Sequence, residues 1–405
     1  MRIALIRQRY NPYGGAERFV ARALGVLKRQ GVAVTVLARD WEGSGETSAD
    51  GLEGAEAAGE PPGGAMAAQW VRCDPLYMGR LWRDTSFARA VCRIVSQRQF
   101  DLVQSHERIA CCDIYRAGDG VHAQWLDNRS RALSIWGRLA MRLNPYHAYV
   151  LAAERSLFAS SRLRAVICNS RMVAAEIARW FKLPERMLYV IYNGVDLQAF
   201  HPALREQHRR TVRASLDIAE SEMIYLFVGS GFERKGVPQL LEAFARLRNR
   251  AARLVIVGAD RQTGALRRRA RSMGLGDRVV YAGPQGDVRP WYGAADCFVL
   301  PTLYDPFPNA VLEAMASGLP VVTSDSCGAA EFIVDGSNGF VCDALDIAAL
   351  ADRLERFDPV SAREMGDRAR SSVAELGLVA MAEKLMALYA SLMQMPVRPP
   401  ERRPV

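Results

Sequence analysis

Apolar residues open the chain as a run, Ile3-Ala4-Leu5-Ile6, and then spread out as Phe19, Val20, Ala23, Leu24 and Leu27 before Gly31. The run is the pattern of a buried strand, and the spread set has the three-and-four spacing of a helix. Val32, Val34 and Val36 then alternate as a second strand. Strand, helix and strand with short loops make a βαβ unit, which implies a parallel sheet. Leu102–Gln104, Ala165–Cys168 and Leu188–Tyr192 are further candidate strands.

The same pattern starts again at Met223–Val228, with a glycine loop and a helical stretch over Val237–Leu247. Short apolar runs at 253–260, 278–284, 297–302 and 320–325 follow, separated by helical segments. An α/β protein of two doubly wound parallel-sheet (Rossmann-like) domains is predicted, spanning 1–195 and 203–373. The turn residues and proline of 193–202 form the linker. A helix over 374–393 carries Leu376, Ala380, Leu385, Leu388 and Leu392 on one side and would be free to pack back on the N-terminal domain. Residues 394–405 read as a disordered tail, and the stretch from Gly43 to about Ala68, poor in large apolar residues, reads as a mobile surface loop.

Composition narrows the function classes. The 405 residues are 50% hydrophobic, enough for two cores. The net charge of +9 comes almost wholly from arginine, with lysine only at Lys28, Lys182, Lys235 and Lys384. That skew is that of a coding bias, so nucleic acid is not expected as a partner, whereas an anionic small substrate or an anionic membrane face fits the charge. No apolar stretch has the length of a membrane span, and the N-terminus lacks the pattern of a signal peptide, so a cytoplasmic location is expected. Eight cysteines without paired spacing read as reduced thiols, not as a metal site or disulfide framework. Between Asp127 and Arg164 seven arginines face two acids, with Trp136, Leu139, Tyr146 and Leu151 interleaved. This fits a basic amphipathic face for an anionic leaflet, or a helix pair packed on the N-terminal domain with solvated arginines.

Ligands of open α/β sheets bind beyond the carboxyl ends of the strands, so the loops there hold the candidate chemistry. "GSGFERKG" (229–236) follows a strand, and its Arg234 and Lys235 would hold a diphosphate or simply decorate a solvated turn. In "LYDPFPNAVLEAMASGLPVV" (303–322), Asn309 is a plausible cap for a helix that runs to Gly318. The helix start would bind an anion, while Asp305 and Glu313 would accept hydrogen bonds from neutral hydroxyls. A capped surface helix is the plainer alternative. "SHERIACCDIYRAGDGVHAQW" (105–125) concentrates His106, Glu107, Asp113, Asp119 and His122, which suggests a cleft or a set of structural hydrogen bonds. The pair Gly14-Gly15 after the first strand is by itself only a turn signal.

Taken in order, the glycine pair, "GSGFERKG", "NGVD" and the acid-x7-Glu element leading into "EAMASGLPVV" resemble the retaining glycosyltransferases of family 4, with the GT-B fold. "NPYGGAERF", "WEG" (41–43) and "RKGV" (234–237) resemble, within that family, the lipopolysaccharide inner-core α-1,3-glucosyltransferase type. The resemblance implies two domains facing across a cleft, the first for the acceptor and the second for a nucleotide-sugar donor. It implies that Arg234 and Lys235 bind the donor diphosphate, Glu313 the ribose, and Asp305, where the family usually has Glu, the sugar hydroxyls. Gly14, Gly15, Phe307, Pro308, Asn309 and Ala310 would complete the donor site. Asp119 takes the place of the first-domain group at the reacting centre, and His106, Glu107 and Arg18 would serve the acceptor or a secondary role.

The implied reaction moves a hexose, with UDP-glucose as the typical donor, to a glycolipid or oligosaccharide acceptor of the cell surface, at the cytoplasmic face of the inner membrane. It retains the anomeric configuration and needs neither metal nor cofactor. A non-catalytic membrane-associated paralogue and a sugar-nucleotide epimerase on the same fold are the alternatives.

Overall fold

The computed structural model describes residues 1–10, 32–41 and 69–394. Gly14, Gly15, Arg18, the loop of 43–68 and the tail from 395 lie outside the described residues. The chain divides into two units. One holds the N-terminal part to Leu126, Leu133–Tyr192 and the chain from Val379; the other holds Asp127–Ala132 and Asn193–Leu378.

In the first unit the strands of the main sheet are β1 (Arg2–Ile6), β2 (Ala33–Ala38), β3 (Gln69–Arg72), β4 (Leu102–Ser105), β5 (Ile114–Arg116), β6 (Ala165–Cys168) and β7 (Leu188–Val190), beside a two-residue pair, Arg9–Tyr10 with Asp40–Trp41. They form one parallel sheet in the order β3-β2-β1-β4-β5-β6-β7. The alternation of β1 explains its two buried faces. Ile3 and Leu5 join a core with Met381, Leu385, Leu388 and Tyr389 of the helix Leu378–Gln394. Ala4 and Ile6 join the opposite core with Phe87, Val91 and Val95 of the helix Gly79–Gln97. Both faces are therefore covered by helices, as a parallel sheet requires.

The second unit repeats the plan with β8 (Ile224–Val228), β9 (Arg253–Val257), β10 (Val279–Gly283), β11 (Cys297–Leu300), β12 (Val321–Ser324) and β13 (Gly339–Cys342). All pairs are parallel and the order is β10-β9-β8-β11-β12-β13. This is the doubly wound order, whose crossovers reverse direction on either side of the first strand of the unit.

β3, β5 and β13 were not anticipated from sequence. β5 is only three residues long and ends in Arg116, a charged residue that is 2% exposed, so no apolar run announces it. The cysteine reading also needs correction. Cys92, in the helix Gly79–Gln97, and Cys111, after β4, form a disulfide with their Cα atoms 5.7 Å apart. They are 19 residues apart in the chain, with no motif to mark them as partners, and the fold brings them together. The other six cysteines are free.

Candidate active site

The second unit builds its site on the loops that follow β8 and β11. Gly229 and Gly231 turn the chain out of β8 with φ of 152° and 75°, and Gly236 ends the loop at 75°. At Gly236 a side chain is excluded twice over, because a Cβ there would lie 1.9 Å from the Pro301 carbonyl oxygen. This close approach locks the two loops together. The Arg234 carbonyl accepts from the Leu303 amide at 2.8 Å and the Thr302 hydroxyl at 3.0 Å. In return, Arg234 Nε donates to the Tyr304 carbonyl at 2.8 Å.

Lys235 lies along the bare backbone of Gly229, where a Cβ would come within 3.0 Å of its Nζ. Its ammonium stands 3.5 Å from an Asp305 carboxylate oxygen, both groups being partly exposed. Asp305 is itself pinned through its backbone, its amide donating to Ser326 and its carbonyl accepting from Gly328. The sulfur beneath is inert, since burial and the Asp305 charge push the Cys327 thiol up to about 12.

The helix Asn309–Ala316 starts after Pro308, without a side-chain cap. Asn309 is thus not the cap foreseen from sequence. It is the first helical residue, and its Oδ1 accepts from Asn193 Nδ2 at 2.8 Å. The same Nδ2 donates to the Phe307 carbonyl at 3.0 Å, so Asn193 fixes the turn that carries Phe307 and Pro308, both buried. Proline at the cap position has no polar side chain to accept from the first amides of the helix, so its positive end carries no side-chain cap. Ala310 follows in the first turn, half-buried. The helix stops as foreseen in the sequence reading, with Gly318 at φ 79° beyond its last turn.

Glu313, 5% exposed, accepts from the Tyr292 hydroxyl at 3.1 Å. The structure therefore pairs Asp305 with Lys235 and Glu313 with Tyr292. Asn193, Tyr292 and Tyr304 were absent from the sequence-based set: Asn193 and Tyr304 lie inside the quoted motifs but carry no charge to single them out, and nothing along the chain ties Tyr292 to these loops.

The first unit presents a different group of residues. Asp119 is exposed on the turn after β5. His106, by contrast, is 5% exposed at the end of β4, with Nε2 3.0 Å from Gln104 Nε2. Gln104 Oε1 accepts from Tyr389 at 2.7 Å. Burial, aided by the Arg116 and Arg7 charges, holds the His106 pKa well below its usual value and keeps the ring neutral. Glu107 accepts from the Gln8 amide at 3.0 Å and from Arg7 at 3.4 Å. Both residues of the acceptor set that are described thus tie strand ends together. Asp113 does likewise, accepting from the Val103 amide, whereas the His122 ring joins two helices through His147 at 3.1 Å.

With this geometry in place, the family matches are decisive. Residues 13–199 match the family described as Glycosyltransferase Family 4, and residues 208–371 match Glycosyl transferases group 1. The chain belongs to these glycosyltransferases. Among curated relatives, the lipopolysaccharide core biosynthesis glycosyltransferase LpsE of Rhizobium meliloti is 36% identical over 36% of this chain and 42% of its own. An uncharacterised glycosyltransferase of Methanocaldococcus jannaschii is 34% identical over 43% of this chain and 45% of its own. The chain spans about half the length of these first curated relatives. The lipopolysaccharide glucosyltransferase WaaG of Escherichia coli K12 is 24% identical over 84% of this chain and 85% of its own. A crystal structure of WaaG superposes with a TM-score of 0.77 at 22% identity, covering 95% of this glycosyltransferase and 99% of that chain. The fold is GT-B.

Proposed function

We propose that the chain transfers a hexose from a nucleotide-sugar, UDP-glucose being the first candidate, to a lipopolysaccharide core or another lipid-linked glycan. The observation that carries this reading is the cationic corner at the carboxyl end of β8. There Lys235 and Arg234 are fixed against the 301–305 loop, in the same unit as the uncapped helix Asn309–Ala316. Departure of a sugar leaves a dianionic diphosphate, and preorganised donors aimed at that charge are worth roughly 3 kcal/mol each by analogy with oxyanion holes. The names of LpsE and WaaG support a lipopolysaccharide acceptor. A structural relative, HepE of Anabaena, was solved with UDP and glucose, and superposes with a TM-score of 0.68 at 18% identity over 96% of this chain and all of its own.

In this reading Glu313 takes the ribose and Asp305, oriented by Lys235, takes sugar hydroxyls. Phe307, Pro308, Asn309 and Ala310 shape the floor of the donor site. Asp119 serves the reacting centre, the role that the sequence resemblance implies for it. Retention follows from front-face attack, with a donor phosphate oxygen receiving the acceptor proton, and the cations of the site take the role a metal would otherwise fill.

The acceptor class calls for a membrane surface, and the first unit has a face suited to one. Ile135, Trp136 and Leu143 are 79%, 78% and 73% exposed on and beside the helix Ile135–Arg142, flanked by Arg138 and Arg142. Leu76 and Met78 are 90% and 80% exposed before the helix Gly79–Gln97, and Trp82 is half-exposed on it. Arg80 of that helix stacks over Tyr146, at the start of the helix Pro145–Phe158 that follows. Apolar anchors with an arginine rim suit an anionic leaflet, here the cytoplasmic face of the inner membrane. No helix among the described residues is long and apolar enough to cross a membrane.

A thermal-shift series with UDP-, GDP- and ADP-glucose tests the donor. A ligand at 100 times its Kd stabilises by about 2.7 kcal/mol, so the true donor raises Tm visibly and the others do not. Release of nucleotide without any acceptor, or none with any donor, would favour the epimerase or the non-catalytic alternative. Pelleting with anionic liposomes tests the surface: it should weaken with salt and on neutralising Arg138 and Arg142, and unchanged pelleting by that variant rejects the face.

A further inference from the structure

Asp119 sits in a turn whose every backbone neighbour is tied. Gly118 donates to the Arg116 carbonyl at 2.9 Å, and Gly120, at φ 70°, donates to the Ala117 carbonyl at 3.2 Å. Asn169 Nδ2 reaches the Gly118 carbonyl at 3.3 Å. These contacts are local or come from the neighbouring strand end. Two further ones come from the loop after β4 and from the helix Pro145–Phe158, and they converge. Arg108 Nη2 donates to the Gly120 carbonyl at 3.2 Å, while Glu154 Oε1 accepts from the His122 amide at 2.7 Å. The two side chains are also bonded to each other, Arg108 Nε to Glu154 Oε1 at 2.8 Å.

Glu154 is 1% exposed and Arg108 19%. A charge pair this deep is a poor device for stability, because desolvation cancels most of the attraction and apolar side chains of similar size would serve as well. What apolar side chains cannot do is bond to a carbonyl and an amide two residues apart. The pair holds the chain on both sides of Val121, a cation on the Gly120 carbonyl and an anion on the His122 amide. Burial opposes the Arg108 charge, but Tyr115, Glu154 and Asp119 outweigh it and keep the guanidinium protonated.

We propose that Arg108 and Glu154 are positioning residues, an ion-pair clamp that sets the Gly118–His122 turn and so aims Asp119 for transfer. The proposal rests on the reading of Asp119 as a group of the reacting centre. Neither residue needs to touch substrate. They act through two backbone bonds, to which Arg108 adds its charge facing Asp119.

The test uses the full chain and the double variant Arg108→Met with Glu154→Leu, which removes both charges together and leaves no unpaired ion. Amide exchange across 118–123 should rise at least tenfold, with the rest of the helix Pro145–Phe158 unchanged and Tm near the parent's. Turnover of the nucleotide-sugar should fall by about 100-fold, the cost of a misplacement on the order of 1 Å, at unchanged KM for the donor. The single variant Glu154→Gln, whose amide oxygen still accepts from His122, should recover most of the exchange protection and part of the turnover. Unaltered exchange in the double variant overturns the clamp. Faster exchange with parental kcat, or a loss of turnover that merely follows Tm, overturns the positioning role. If the parent turns over no nucleotide-sugar, the proposed function fails instead, and the exchange arm alone still decides whether the clamp exists.

Discussion

The two units share one order over their first six strands but place their most buried ion pairs at opposite ends of the sheet. In the second unit Asp296, just before β11, accepts from Arg213 at 2.6 Å and Arg209 at 2.8 Å, with Arg205 at 3.4 Å. That cluster stitches the helix Leu204–Ser215 to the amino ends of the strands, away from the loops that follow them. In the first unit the pair Arg108–Glu154 stands at the carboxyl end, against the turn after β5. The difference teaches how each unit stiffens its functional edge. The second unit does so with glycine and close backbone contact, at Gly236 and Pro301. The first unit does so with two side chains, Arg108 from the loop after β4 and Glu154 from the helix Pro145–Phe158.

The strongest way to break the contrast is Asp296→Asn. It leaves three arginines around a neutral amide, and unfolding free energy in urea should drop by about 3–5 kcal/mol. Turnover per folded molecule should stay at the parental value, because no loop at the carboxyl end touches Asp296. Lys235→Ala should do the reverse, lowering turnover by about 100- to 1,000-fold while Tm changes little, as a missing preorganised cation would. Near-parental turnover there would remove the diphosphate role.

Gly236→Ala tests the backbone device. The new methyl meets a carbonyl oxygen in a left-handed conformation, so a loss on the order of 3 kcal/mol is expected in the same urea assay. It should come with weaker nucleotide binding, since the 229–236 and 301–305 loops would separate.

The smallest effect is the pH dependence from His106. Its folded pKa is depressed, so below the unfolded value of about 6.5 the unfolded chain binds a proton that the folded one refuses. Stability is therefore intact above about 6.5 and declines as pH falls toward the folded pKa. Melting curves from pH 7.5 to 5 should show a shallower decline for His106→Gln than for the parent.

Much of the proposed donor side was legible because its chemistry is local. Arg234 and Lys235 are neighbours in sequence, Gly229, Gly231 and Gly236 surround them, and Asp305 and Glu313 flank one helix start. Asn309 was misread because cap preference is a statistical tendency. Here a side chain from residue 193 took up the oxygen that would have capped the helix. The acceptor set fared differently. His106 and Glu107 looked like exposed polar groups of a cleft, and each turned inward to bond a strand end or a neighbouring side chain. Glu154 carries no local signal, being the single acid among the arginines of 129–164.

By itself the sequence determined the two doubly wound halves, through runs and spacings that repeat every few residues, and it determined the cationic loop after β8. Those features depend on residues close in the chain, so periodicity and glycine placement suffice to read them. Only the tertiary structure decided that Cys92 meets Cys111, that Tyr292 meets Glu313, and that Arg108 and Glu154 grip one turn. Each of these joins residues 19 to 46 positions apart. Contacts at such separations are set by how helices pack on the sheet, and the local pattern of a chain does not encode them.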